Sequence, residues 1–394
     1  MSEMKSSLTE NFSIRREGLV RRLLARLFPS GDKWQLAVRA ALFAVLVSWL
    51  PMLVLSFVQG QAYGTQIAIP FVRDMAVNVR FLIALPILIL AGPEIDRRLR
   101  VVALQFLKSG LVPERELPSF EDVIGRTLRL RDRALPGILL IVAAYSPAPF
   151  VRTELLMNGI SNWHFAPAGP DGVSLAGWWF SLVSAPLFRY LLLRWLWRMF
   201  LWSSFLWRAS RLNLYLVATH ADEAAGLGFL AGGQLAFRPV VFAGGTVVAA
   251  QLGNTIAFQG ATLSSQKFPM IAYGVIALVI LIAPLFVVSP VLIEIRRKAL
   301  LEYGTLVTAH NQQFDQKWIH GQKPSGETLL GKQDASSLID LASSFEVIRR
   351  MIPLPITRRS LVELVVAAAL PMVPVILFAT PAEELIRAVL KMLG

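Results

Sequence analysis

The chain contains no cysteine and only four histidines among its 394 residues. The first absence excludes disulfides, thiolate metal sites and cysteine nucleophiles. The scarcity of histidine leaves little for a metal centre or a catalytic dyad to be built from. Charge is also thin. Only 16% of residues are charged, against about 25% in soluble domains. Long runs free of charge fill the difference: 55% of the chain is hydrophobic and the mean hydropathy is +0.56. The formal charge of +13 invites a nucleic-acid reading. The placement of the basic residues argues against it, because they gather in the segments between apolar runs.

A span of about 20 apolar residues is needed to cross ~30 Å of hydrocarbon. On that criterion seven spans are expected: Trp34–Val58, Val77–Gly92, Leu135–Val151, Gly177–Trp195, Val240–Phe258, Met270–Ile293 and Leu361–Phe378. The first apolar run is too long for the core of a secretory signal and reads as an uncleaved first span. Segments 1–33, 94–133, 194–238 and 294–360 together carry 31 of the 39 Lys and Arg residues. By the positive-inside rule these four lie in the cytoplasm, which requires an odd number of crossings with the N-terminus inside and the C-terminus outside. The expected fold is therefore all-α: a polytopic membrane bundle of about seven helices. It has a basic N-terminal arm (1–33), six spans within 34–293, a cytoplasmic helical hairpin (294–360), and a seventh span with an external tail (361–394).

The pattern Ile14–Phe28 reads as a basic amphipathic helix for an anionic inner leaflet, or for packing against the cytoplasmic loops. Ala382–Leu393 reads as an amphipathic helix on the outer interface. Segment 94–133 reads as two helices broken at Gly110 and Pro113, and the outer loop around His164 as irregular surface. Trp178 and Trp179 mark one membrane interface; Trp195, Trp197, Trp202 and Trp207 mark the other. Arg194 and Arg198 lie four apart on the same helix and are expected to snorkel to the inner headgroups. Prolines at 86, 186, 284, 290, 371 and 374 are expected to kink their helices.

The fifth span is the most informative. Gln251, Asn254, Thr255 and Gln259 recur at helical spacing and form one polar stripe. Amides facing lipid would be left unsatisfied, so the stripe must face protein or water. It lines a polar pathway or pocket, or it bonds packed helices together. Asp74 and Arg80, at the mouth of the second span, are the charged candidates for the same pathway. At the other end of the fourth helix, Thr219, His220, Asp222 and Glu223 form a polar turn in which Thr219 or Asp222 is placed to cap a helix. The glycines after it suit close helix packing, since the partial dinucleotide pattern there follows no strand. A general base could be assembled at this turn, but no recognisable catalytic triad or HExxH accompanies it.

Three phrases, RASRLNLYLVATHADEAAGLGFL (208–230), EYG…FDQKW and LLGKQDASSLIDLASSFEVIRRM, resemble an uncharacterised family of bacterial multi-pass inner-membrane proteins. The similarity extends along most of the chain. Family members usually read THPDRAGGLGFL; here Ala221 and Glu223 replace the usual Pro and Arg, so no basic residue stands at the turn to hold an anion. The resemblance implies a bacterial inner-membrane location and this topology, and no activity.

Three functions follow from these readings. The first is a homo-oligomeric channel or transporter for a small polar or ionic solute. The second is a non-transporting sensor or scaffold whose hairpin at 294–360 holds a cytoplasmic protein partner. A membrane-embedded enzyme ranks last. No cofactor, metal or nucleic-acid partner is expected; an anionic inner leaflet is.

Overall fold

The computed structural model describes residues 13, 32–146, 161–165, 172–321 and 333–380. The expected amphipathic helices at 14–28 and 382–393, the end of the third span and most of the turn before the second hairpin helix lie outside the described residues. The described chain is helical. Its β content is two isolated bridges, Ile69 with Asn162 and Phe165 with Val173.

The first span comprises α1 (Lys33–Ser48) and α2 (Leu50–Val58). The second comprises α3 (Met75–Val79), a π turn at Arg80–Ala84, and α4 (Leu85–Lys108). Then come α5 (Leu117–Asp132) and the short apolar α6 (Ala134–Tyr145). The fourth helix repeats the build of the second: α7 (Leu175–Trp179), a π turn at Phe180–Ser184, and α8 (Ala185–Ala209). After α9 (Leu230–Leu235) follow α10 (Arg238–Gln259), α11 (Lys267–Phe286), α12 (Ser289–Phe314), α13 (Gln333–Arg350) and α14 (Arg358–Ala369). A 3₁₀ turn at Leu370–Met372 leads into α15 (Val373–Ala379).

Among the described residues, five helical stretches are long and apolar enough to cross a membrane: Lys33–Val58, Met75–Lys108, Leu230–Gln259, Lys267–Phe286 and Arg358–Ala379. They coincide with the first, second, fifth, sixth and seventh expected spans. The third expected span is represented by α6 alone, twelve residues long. The fourth is an unbroken helical run, but Arg189, Arg194 and Arg198 interrupt its apolar character. Large apolar side chains face outward along these helices, among them Phe268, Ile271 and Val279 on α11 and Leu135, Ile138 and Val142 on α6. Outward apolar surface combined with buried Asp74, Arg80, Gln234 and Asn254 is the distribution that lipid selects.

The sixth span ends earlier than expected. Its helix stops at Phe286, and a new one starts at Ser289. Pro290 explains the break, because its ring collides with the carbonyl four residues back, at Phe286. Pro86 and Pro186 act differently. Each stands two residues past a π turn, and the carbonyl that each would strike, Leu82 or Leu182, lies within that turn. The chain absorbs the collision by carrying one extra residue per turn instead of kinking outright. The neighbour of both helices is the first span. Pro51 leaves Val47 without its amide partner, and Trp179 Nε1 donates to the Val47 carbonyl instead (3.0 Å). Ser184 Oγ donates to the Ser48 carbonyl one residue on (2.7 Å). Backbone freed in a membrane helix must be satisfied by a neighbour in this way.

The four Lys/Arg-rich segments meet at one end of the bundle. Ser13 Oγ donates to Asp96 and Arg131 donates to the Ser13 carbonyl. Tyr215 N donates to the Leu111 carbonyl (2.8 Å), and Ile352 N to the Glu223 carbonyl (2.9 Å). At the opposite end, segment 59–74 bonds to 161–165 and to the start of α7: Ile69 N donates to the Ser161 carbonyl, Trp163 N to the Ile69 carbonyl and Leu175 N to Gln59 Oε1.

Candidate functional site

The site is the buried polar node at that second end, where the second span begins. Asp74 precedes α3 in an extended conformation, and its Oδ1 accepts from Val77 N (3.1 Å) as a helix N-cap. The same carboxylate accepts from Asn254 Nδ2 (2.8 Å) on α10 and from Trp163 Nε1 (2.9 Å) in the loop segment 161–165. Asn254 completes the link by accepting from Met75 N (2.9 Å). Asp74 is 2% exposed and Asn254 fully buried, so each bond is made away from solvent, where a missing partner costs most.

Asn78, one turn along, accepts from Trp49 Nε1 (2.8 Å) and donates to the carbonyls of Phe71 (2.9 Å) and Asp74 (2.8 Å). The roof of the node is Trp163. It is edge-on to Phe71 at 5.0 Å, stacks on His164 at 3.7 Å, and is itself fully buried. Ser174 holds the roof from the other side. Its hydroxyl donates to the Trp163 carbonyl (2.7 Å) and accepts from Gly177 N (2.8 Å), capping α7. Thus the N-caps of the two π-bearing helices are joined through one tryptophan. Gly177 is required there, since a Cβ would stand 2.4 Å from the His164 carbonyl oxygen.

Of the pathway candidates, the node unites Asp74 and Asn254, 180 residues apart in sequence. Arg80 is buried in the π turn with its guanidinium 5.8 Å from the Phe188 ring centroid. The rest of the stripe does not join them. Thr255 Oγ1 donates back to the Gln251 carbonyl of its own helix (3.0 Å); Gln251 is half-buried and Gln259 exposed at the helix end. His164, expected on the surface, is 4% exposed. The Pro/Gly-rich neighbours that mark its loop as irregular say nothing of its depth. Gln234 is a second buried bridge that sequence reasoning did not single out: it lies between Trp202 Nε1 (3.2 Å) and the Leu281 carbonyl (3.0 Å).

The polar turn lies at the basic end, remote from the node. Asp222 does not cap a helix as expected, for the next helix starts only at Leu230, with no side-chain cap. Instead its carboxylate gathers a loop, accepting from Ala224 N (2.9 Å), Gly226 N (3.0 Å) and Gly228 N (2.8 Å), with His220 Nδ1 at 2.8 Å. The glycines serve this loop: a Cβ on Gly228 would sit 2.9 Å from Asp222 Oδ2. Burial alone would raise the Asp222 carboxyl, but donation from these three amides and from His220 outweighs it and holds the group below its ordinary value. Glu223 (φ 55°) and Ala225 (φ 53°) are in the left-handed region, a conformation imposed by the loop. Glu223 also gives its carbonyl to Ile352 N. Thr219 is half-buried and His220 exposed. Among the described residues no three His, Asp or Glu side chains come together to ligate a metal.

The helices and the buried polar node define an α-helical integral membrane protein. Comparison with protein-family models, with curated proteins and with solved structures finds no match to this chain.

Proposed function

We propose that the protein is a membrane-embedded scaffold or sensor that works through its hairpin at 294–360. In this reading it crosses a bacterial inner membrane seven times, with the four basic segments in the cytoplasm. Their mutual hydrogen bonds at one end of the bundle support a single basic face.

The observation that carries the reading is the fate of Asn254. Both ends of its amide are spent, on Asp74 and on Met75 N, in a fully buried position. A pathway-lining amide would face open space. Exposed instead, between the sixth and seventh apolar runs, is the hairpin of α12 and α13. Leu301 is 72% exposed, Leu306 53% and Ile339 65%. Leu300, Leu301, Gly304, Thr305, Thr308, Ala309 and Gln312 line an open groove along α12. Exposed apolar side chains outside the spans mark contact surfaces for a partner or a second copy.

Transport of a small polar or ionic solute is the second reading, favoured by the buried charged residues Asp74 and Arg80 beside a π turn. One experiment divides the two. The purified chain is reconstituted into liposomes with a panel of ions and small osmolytes, and a photo-crosslinking residue is placed at Leu301 in cells. The scaffold reading expects no flux and a discrete crosslinked species, whether a dimer or a partner adduct. Flux that Asn254→Leu removes from folded protein would overturn it.

A further inference from the structure

Resting on the scaffold reading above, we propose that the occupant of the α12 groove is a second copy of this chain. Two α12 helices pack in parallel through the face that carries Leu301, Thr305, Thr308 and Gln312.

These four residues recur at intervals of four, three and four, the seam spacing of a two-stranded coiled coil. With Leu301 and Thr308 at d and Thr305 and Gln312 at a, Gly304 falls at g and Ala309 at e. The open groove is lined by these six residues and by Leu300 beside them, so groove and seam coincide. α13 leaves this face clear, because it covers the f positions on the far side of α12. There Arg296 Nη2 donates to the Arg349 carbonyl (2.9 Å), and His310 Nε2 lies 3.3 Å from Ser337 Oγ. The threonines offer little polarity to a partner. Thr305 Oγ1 donates to the Leu301 carbonyl (2.9 Å) and Thr308 Oγ1 to the Gly304 carbonyl (2.8 Å) of their own helix. Their methyl groups are left to join Leu301, which is 72% exposed.

Charge selects the occupant. Arg297 is at g and Glu302 at e, positions that face each other across a parallel pair. Each now holds an exposed neighbour on its own helix, Glu294 (2.9 Å) for Arg297 and Lys298 (3.8 Å) for Glu302. Exposed pairs of this kind are weak enough to exchange. One heptad on, Gly304 meets Ala309 of the second copy, and small residues let the two backbones approach. Antiparallel packing would set g against g and e against e, and Arg297 would never meet Glu302. A two-fold axis along the membrane normal relates two copies inserted the same way, and it gives an upright α12 a parallel mate matched to itself. The seam is short, because the π turn at Asp315–Ile319 breaks the repeat. Two copies confined to one membrane meet at high effective concentration, which suits a contact of that strength.

The absence of cysteine makes single-cysteine variants clean probes. L301C, T308C and L306C are each oxidised in native membranes and run without reductant. Leu306 is also exposed, at 53%, but stands at b, off the seam. L301C and T308C should give at least tenfold more disulfide-linked dimer than L306C. In the L301C chain, R297E or E302R alone should lower the dimer yield severalfold, and R297E/E302R together should restore it. Equal yields at 301 and 306, no dimer at all, or a double charge swap that restores nothing overturns the proposal. A photo-crosslinker at Leu301 then separates the two failures: an adduct with a different protein keeps the scaffold reading, and no adduct ends both.

Discussion

The helical runs 75–108 and 175–209 are built to one plan. Each has a capped five-residue helix, a five-residue π turn, a proline two residues past it, and a long helix running to the basic end. Every boundary up to the start of the long helix falls 100 residues later in the second run. What they do with the plan differs. The first is capped by Asp74 and sinks its charge into the bundle, against Asn254 and Trp163. The second is capped by Ser174, places Phe180 where the first has Arg80, and carries its arginines further along, toward the basic end. Phe81 and Phe180 meet edge-on at 6.3 Å where the two π turns face each other. A shared backbone device thus serves a polar lock in one helix and an apolar contact in the other. The lesson is that the π turn supplies shape, and the residues hung on it supply the chemistry.

The cap residues offer the sharpest break in the comparison. Asp74→Ala strands Asn254 Nδ2, Trp163 Nε1 and Val77 N in a dry site and should cost about 3 kcal/mol or more. A thermal melt of detergent-purified protein, followed by near-UV circular dichroism, reads the loss. Gly177→Ala pushes a methyl into the His164 carbonyl, an immovable backbone atom, and should cost about 1–3 kcal/mol in the same melt. Ser174→Ala removes a neutral cap and should cost about 1 kcal/mol. If Ser174→Ala costs as much as Asp74→Ala, the two caps are equivalent and the contrast drawn above fails.

Smaller effects sharpen the contrast where the second run ends. Asp222 holds the loop after α8, a role with no counterpart after α4, where Gly110 turns the chain. Its depressed folded value means that the stabilisation is fully present above the unfolded carboxyl value near 3.9. It is lost as pH falls through the folded value. Acid titration of wild type against Asp222→Asn, followed by proteolysis within 211–229, should show the variant cut at neutral pH and the wild type only in acid. Glu223→Gly relieves a left-handed non-glycine and should stabilise by about 0.5–1 kcal/mol, read as a small rise in the melting midpoint.

The spans were legible because apolar runs are local, and five expected runs coincide with helices apolar enough to cross even though a single arginine, Arg39 or Arg80, lies inside each of the first two. The node was legible in its parts only. Asp74 and Asn254 each stood out as polar groups in apolar surroundings, but nothing in one sequence pairs residues 180 apart. Trp163 and Ser174 were not singled out, because a tryptophan and a serine in a loop are ordinary until the loop is seen to fold inward. The prolines were visible, yet a kink and a π turn have the same sequence signature. Asp222 carried the signature of a helix cap, and the chain placed the helix eight residues later.

The π turns have a consequence for anyone scanning these helices by substitution. One surplus residue advances the phase of the helix by roughly 100°. A sensitivity profile with a 3.6-residue rhythm will hold from Leu85 to Lys108, slip by one residue across Arg80–Ala84, and resume out of step toward Asp74. The same slip recurs across Phe180–Ser184. A single helical wheel drawn through either run therefore assigns its outer turn to the wrong neighbour, and that outer turn is where Asp74 finds Asn254.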